Sequence, residues 1–282
     1  MSLKNPILKC AQKALDTHCG YLLFLPKVES QYDHFCKFYF HCYNTPLLRF
    51  ISDNPAEKQN DPLLPPFDKN IHICDLTDNG TNHHLLVNKF MQCKGHIVLS
   101  SRRKDAKQGD KLEMEDFCSF QRIFNSFDNN GLVYYNSGLM SGCSQLHKHL
   151  QYTPIDKSPV LDAMVKYDKD NEKRLPFRYH FVEMFNHKDD WKTHKITAEE
   201  MNNAYKELTK MSRKDDPDHT AYNFLISKGI AFYVPRRVAQ HKTGIVINSF
   251  AVAGHYSIWE WSDPIIKRSP MSILKDVCFP IK

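Results

Sequence analysis

The chain has 282 residues, 41% of them hydrophobic and 12% aromatic, enough to fill one large core or two modest ones, so disorder is excluded as the default. No run of eighteen apolar residues exists, and "MSLKNPILKC" has neither the apolar stretch of a secretory signal nor the Arg/Ser richness of a transit peptide. A formal net charge of +6 is too mild for a dedicated nucleic-acid arm and suits an anionic small substrate as well as an ordinary solvated surface.

The first residues, about 6–17, are expected to be helical. Strand-like runs follow: "YLLFL" at 21–25, "CKFYFHCY" at 36–43, "HLLVNKF" at 84–90 and "HIVLSS" at 96–101. Asp110 with Glu113 has the spacing of a capping box, and Phe117, Phe120, Phe124 and Phe127 then form one helical stripe that Gly131 closes. "LVYY" at 132–135 reads as a strand. "FRYHFVEMF" at 177–185 reads the same way, as do 222–226, 230–234 and "GIVINSF" at 244–250. Thr197 with Glu200 repeats the capping device ahead of Met201, Ala204, Tyr205, Leu208 and Met211. Long helices among many strands without βαβ alternation predict an α+β antiparallel architecture. The charge-dense "KYDKDNEKR" at 166–174 is the expected seam between two parts, and "SRKDDPDH" at 212–219 reads as a surface loop. There is no internal repeat.

Nine cysteines with no CxxC pair and an odd count imply free thiols in a reducing compartment, most of them acting as small buried hydrophobes. A cytoplasmic protein follows, with the nucleus also allowed.

The chemistry concentrates in "NSGLMSGCSQLHKHLQ", 136–151. On a strand, His147, His149 and Gln151 share one face while Leu146, Lys148 and Leu150 take the other. The preceding Gly/Ser/Asn loop can turn backbone N–H groups and hydroxyls toward one anion. A neutral imidazole is a competent nucleophile toward phosphorus when one ring nitrogen is held as N–H and the other keeps its lone pair. His149 is best placed for that role, with His147 orienting it and Gln151 donating to phosphoryl oxygens. From spacing alone, a nucleophile, a metal-binding HxH pair and a structural pair all stay open, although no Cys or carboxylate completes an obvious metal set. Of the other tempting side chains, Lys89, Arg102 and Arg103 read as solvated surface cations, and Trp259 with Trp261 as core. His83 and His84 are taken as surface.

"YNSGLMSGCSQLHKHLQ" resembles the histidine-triad superfamily, and within it the branch of diadenosine tetraphosphate phosphorylases, or ATP adenylyltransferases, whose third histidine is replaced by Gln. "DPLLPP" at 61–66, "LLVNKFMQCKGHIVLSSR" at 85–102, 221–237, 244–259 and "ILKDVCFP" at 273–280 resemble the same family in the same order. The resemblance implies a histidine-triad-like antiparallel sheet with packed helices in a catalytic domain, 1–168, and a β-rich ATP-adenylyltransferase-like part, 169–282. It implies phosphorolysis of diadenosine tetraphosphate to ADP and ATP through an adenylyl-His149 intermediate. Asn136, Gly142, Cys143, Ser144, Gln145 and Gln151 match phosphate-contacting positions, Asn88 a nucleotide contact and Asn248 a substrate contact.

No metal is implied for the nucleophile, though a divalent cation such as magnesium can travel with the nucleotide. The implied partners are dinucleoside polyphosphate, ATP, ADP and phosphate, with neither nucleic acid nor membrane; oligomeric state is left open. The sequence departs from the family where His255 and Trp259 replace an expected lysine pattern, where Arg49 is the nearest basic residue to another, and where Cys143 replaces a hydroxyl. The alternatives are a related nucleotidyl hydrolase, an adenylyl-sulfate or GDP-sugar nucleotidyltransferase, and a nucleotide-binding module without catalysis.

Overall fold

A computed structural model describes residues 2–43, 61–184, 193–215 and 220–281. Helix α1 (Lys4–Asp16) precedes β1 (Tyr21–Leu22), β2 (Phe24–Asp33) and β3 (Cys36–Tyr43). Next come β4 (His72–Leu76), β5 (His83–Val87), β6 (Phe90–Met91), β7 (Ile97–Ser101), α2 (Met114–Ser126), β8 (Leu132–Ser137), β9 (His149–Thr153) and α3 (Pro159–Tyr167). The chain closes with β10 (His180–Glu183), α4 (Ala198–Asp215), β11 (Tyr222–Ser227), β12 (Ile230–Pro235), α5 (Ser249–Val252), β13 (His255–Ile258), α6 (Pro264–Arg268) and α7 (Pro270–Val277). The fold is α+β.

Eight of these strands form one antiparallel sheet in the order β10-β12-β11-β8-β9-β7-β5-β4. Strand β11 pairs with β8, so the sheet runs continuously across the seam expected near residue 170. One face is sealed by α2 and α4, whose Phe117, Phe120, Phe124, Met201 and Leu208 pack on Leu85, Leu99, Val133, Leu150 and Phe224. Apolar burial on that scale, roughly 2 kcal/mol per large side chain, fixes the sheet in one register.

The opposite face is divided. Over β8, β11 and β12 it is covered by α3, α5, α7 and a second sheet, β13-β3-β2. Over β5 and β7 it is covered by the Pro-rich stretch, with Leu63 and Phe67 packed on Leu86 and Val98 and the Ser100 hydroxyl donating to Leu63 C=O (2.6 Å). Strand β9 lies between the two coverings.

Several expectations are corrected. The α2 box is Glu113 with Asp116, one step later than Asp110 with Glu113; the Asp110 carboxylate instead accepts from Lys107 N–H. Thr197 and Glu200 do cap α4 reciprocally. Residues 244–250 form no strand: Gly244 has positive φ, Val246 makes one isolated bridge to Gln240, and Asn248 caps α5. The seam begins as helix, since α3 runs to Tyr167, and the loop expected from 212 begins later because α4 continues to Asp215; residues 216–219, like Arg49, lie outside the described ones. All nine cysteines are free, yet only Cys36 and Cys278 are fully buried. Trp259 and Trp261 stack on each other at 4.9 Å near the surface, Trp261 being 64% exposed, so they are not core. No described helix is long and apolar enough to cross a membrane.

Candidate active site

Strand β9 starts at His149, not His147; His147 precedes it and makes one isolated bridge with Lys107. His147 is still buried, and its Nε2–H donates to Ser101 C=O (2.8 Å) on β7. That bond fixes the segment leading into β9.

His149 carries its proton on Nδ1, which donates to the C=O of His147 at 2.8 Å. Its Nε2 therefore bears the lone pair and has no hydrogen-bond partner among the described residues. Burial holds the ring neutral, with its pKa pushed down to about 4; the His147 carbonyl and the Asp61 carboxylate pull the other way. The imidazole is thus uncharged at neutral pH, with its tautomer fixed by the backbone.

Gln108, which the sequence reading missed, clamps the same residue. Its Oε1 accepts from His149 N–H (2.7 Å), and its Nε2 donates to His149 C=O (3.1 Å) and Asn136 C=O (2.9 Å). It lies in a polar loop with no hydrophobic period, so only tertiary pairing reveals it.

Gln151 shares the face of His149. Its Oε1 accepts from His96 Nε2–H at 2.9 Å and lies 3.1 Å from the Tyr134 hydroxyl. Because His96 Nδ1 accepts from Gln92 N–H, its proton must sit on Nε2. The amide oxygen is thus engaged by His96 and Tyr134, which leaves the Gln151 NH2 without a hydrogen-bond partner among the described residues. Burial also pushes the His96 pKa down to about 4. His96 and Tyr134 are further residues that the sequence reading did not single out. Asn88 adjoins this group: its Oδ1 accepts from Phe90 N–H, and its Nδ2 lies 3.2 Å from His96 Nε2.

Asn136 is buried, and its Oδ1 accepts from Asn223 Nδ2, Ser249 N–H and Ser249 Oγ, so it ties β8 to β11 and α5. Arg236, also buried, donates to Asn223 Oδ1 (2.7 Å), Ile247 C=O (2.8 Å) and Val238 C=O (2.9 Å). The same network therefore brings the start of α5, with Asn248, against the 138–145 loop. Gly142 adopts φ +81°, and a Cβ there would meet Ile247 O at 2.3 Å, so only glycine fits. Cys143 donates its thiol to Gly138 C=O and is half-buried, as Gln145 is, while Ser144 is exposed.

Lys148 points to the other face. Its Nζ is fully buried, 2.7 Å from Asp116 Oδ2 and 2.9 Å from Lys111 C=O. Leu150 is buried on that face too, whereas Leu146 is 69% exposed and belongs to the loop. His83, expected at the surface, is buried against the same carboxylate: its Nε2 is 3.1 Å from Asp116 Oδ1, and its Nδ1 is 2.9 Å from Ser119 Oγ. His84 is buried as well, bonded to Asp75. Arg103 pairs with Glu113, and Arg102 lies 3.8 Å from Asp75. Lys89 sits over the Phe90 ring. Cavities of about 500 Å³ (Ser2, Asp78, Arg122, Asn125) and 190 Å³ (Leu161, Asp162, Lys228, Phe232) open elsewhere, and neither touches His149.

Two family models match the chain. Residues 50–165 match the Ap4A phosphorylase N-terminal domain and residues 173–280 the ATP adenylyltransferase C-terminal domain, Ap4A being diadenosine tetraphosphate. The chain belongs to the Ap4A phosphorylase/ATP adenylyltransferase family. It is a nucleotidyltransferase enzyme of that family. The crystal structure of yeast Ap4A phosphorylase Apa2 shares the fold, with TM-score 0.79 and 20% identity over 99% of this chain and 99% of that one. The same enzyme with AMP gives 0.79 and 21% over 99% and 98%, and with Ap4A 0.78 and 19% over 99% and 97%. No curated protein sequence matches the chain. The family membership and the shared fold span both the parts that flank β9.

Proposed function

We propose that this enzyme cleaves diadenosine tetraphosphate by phosphorolysis, through a covalent adenylyl group on His149. The observation that carries the reading is the His149 ring, with Nδ1–H tied to its neighbour's carbonyl and Nε2 left with a lone pair. Nε2 attacks the α-phosphorus, the N–P bond forms as the P–O bond to the leaving polyphosphate breaks, and ATP departs. Positive charge on the imidazole is spread to Nδ1–H and met by the His147 carbonyl. The Gln151 amide, held by His96 and Tyr134, donates to a phosphoryl oxygen that gains charge in the transition state. Backbone N–H groups of Cys143, Ser144 and Gln145 supply further donors, the Gly142 N–H being held by Leu139 C=O (3.2 Å), and one such donor is worth roughly 3 kcal/mol of barrier. Inorganic phosphate then attacks the same phosphorus, releases His149 and yields ADP. Two displacements retain configuration at phosphorus, and the reverse direction transfers adenylyl from ATP.

His147 holds the segment, Asn136 and Asn248 join the loop to α5, and Asn88 adjoins the Gln151 group. A divalent cation such as magnesium accompanies the polyphosphate. Nine free thiols support a reducing compartment, the cytoplasm.

The test is incubation with diadenosine tetraphosphate and phosphate, which should give ADP and ATP in equal amounts. Cleavage that proceeds without phosphate would make the enzyme a hydrolase instead. Nucleotide labelled at the α-phosphate should leave its label on His149 when phosphate is withheld; binding without label transfer would refute the covalent step.

A further inference from the structure

We propose that His72, Asp75 and His84 form a binding site for a divalent transition-metal ion of the zinc class, separate from the nucleophile. His72 Nε2 and His84 Nδ1 both converge on Asp75 Oδ1, at 2.9 and 2.7 Å, and one donor atom from each of the three residues falls within 4.8 Å of the others. Two imidazoles and a carboxylate oxygen are borderline-to-hard ligands that suit zinc, cobalt or iron, and three protein ligands leave an open position for water or another oxygen.

The backbone is shaped for this convergence. Residues three apart on a regular strand point to opposite faces. Here the pairing of β4 with β5 slips between His72 and Cys74, where His72 opposes Leu86 and Cys74 opposes Leu85. This irregularity turns His72 onto the face of Asp75, and Asp75 directly opposes His84 across the ladder. Bulges that re-aim a side chain concentrate next to functional sites. His84 is only 8% exposed and Phe67 packs against both imidazoles, at 5.4 and 4.9 Å between ring centroids, so the ligands are held in place. His72 and Asp75 remain partly exposed, which gives an ion a way in.

Without an ion, both imidazoles hydrogen-bond to Asp75 as N–H donors. Metal entry requires each ring to move its proton to its other nitrogen, His72 Nδ1 and His84 Nε2, so that a lone pair faces the ion; no net proton need be released. Asp75, His84, Ser100 and His149 oppose one another in turn across four strands. The ion would therefore lie on the nucleophile's face, about 12 Å from it by strand spacing.

Cobalt(II) titration of the intact, metal-free protein tests the proposal. One equivalent should bind with the visible bands of a nitrogen/oxygen site and without near-ultraviolet thiolate charge transfer, which separates it from the nine cysteines. Asp75→Asn and His72→Ala, both at partly exposed positions, should lose that equivalent or weaken it at least about tenfold while circular dichroism stays unchanged. Absence of a stoichiometric equivalent, a thiolate band, or undiminished binding by both folded variants would overturn it.

Discussion

His149 and His255 make an instructive pair. Both are buried, both have their pKa pushed down to about 4 chiefly by burial, and both donate a ring N–H to a backbone carbonyl, of His147 and Lys157 respectively. They part at the other nitrogen. His255 Nδ1 accepts from His41 Nε2 at 3.0 Å, and its ring is stacked between Phe250 and Tyr39. His149 Nε2 keeps its electron pair unshared among the described residues. Burial and a depressed pKa are thus shared by His149, the proposed nucleophile, and a structural histidine; what distinguishes His149 is the unoccupied nitrogen.

The sharpest way to break the comparison is His149→Ala. Turnover of diadenosine tetraphosphate should fall by at least about 10⁴-fold, while equilibrium binding of the nucleotide survives. More than a trace of steady-state activity would move the nucleophile elsewhere. Gln151→Ala comes next: one transition-state donor is lost, so kcat should drop by about 10²–10³-fold with KM little changed. Gln108→Ala leaves both reacting groups present but unclamps His149, and a displacement on the order of 1 Å can cost about 10²-fold in kcat; a value within twofold of wild type would show that the clamp is dispensable. His255→Gln should leave kcat within about twofold and cost about 1 kcal/mol of stability in denaturant unfolding. A large fall in its kcat would erase the distinction.

Acid treats both histidines alike. His41, His96, His149 and His255 all have folded pKa values lowered to between about 3 and about 4 from the ordinary 6.5. Below pH 6.5 the unfolded chain binds more protons than the folded one, so stability falls as pH drops from 6.5 toward 4 and levels off below the folded values. Differential scanning calorimetry should show Tm falling by at least about 5 °C over that range. The acid limb of kcat/KM set by His149 should lie near pH 4, because only the neutral ring attacks. A limb near 6.5 would mean that the ring is hydrated in the free enzyme.

What was legible in the sequence followed local periodicity. The phenylalanine stripe of α2, the Thr197–Glu200 cap and β3 each obey a single repeat or cap rule. The facing of His149 with Gln151 follows from alternation in the same way, and "SGCSQLHKHLQ" stood out because small residues ahead of alternating imidazoles are rarely needed for packing. Gln108, His96 and Tyr134 were not legible, because their roles come from register: antiparallel pairing places Tyr134 opposite Gln151, and a loop fold brings Gln108 to the backbone of His149. His83 and His84 looked exposed because the partners that bury them, Asp116 and Asp75, are reached only through α2 and a slipped strand pair. The 244–250 stretch carries a strand-like alternation, but Asn248 finds a helix N-terminus to cap instead, and the local bond wins over propensity.

One property of the sheet constrains how this gene product can be divided. Strands β10, β11 and β12 come from beyond residue 168 yet complete the ladder on the outer side of β8. A fragment ending there would bare the hydrogen-bonding edge of β8, one strand from the histidine, and remove α5, α7 and β13 from the apolar cover over Leu132 and Tyr134. Such a half-molecule is expected to clump or unfold, whereas two separately produced halves mixed together could regain activity by rebuilding the shared ladder.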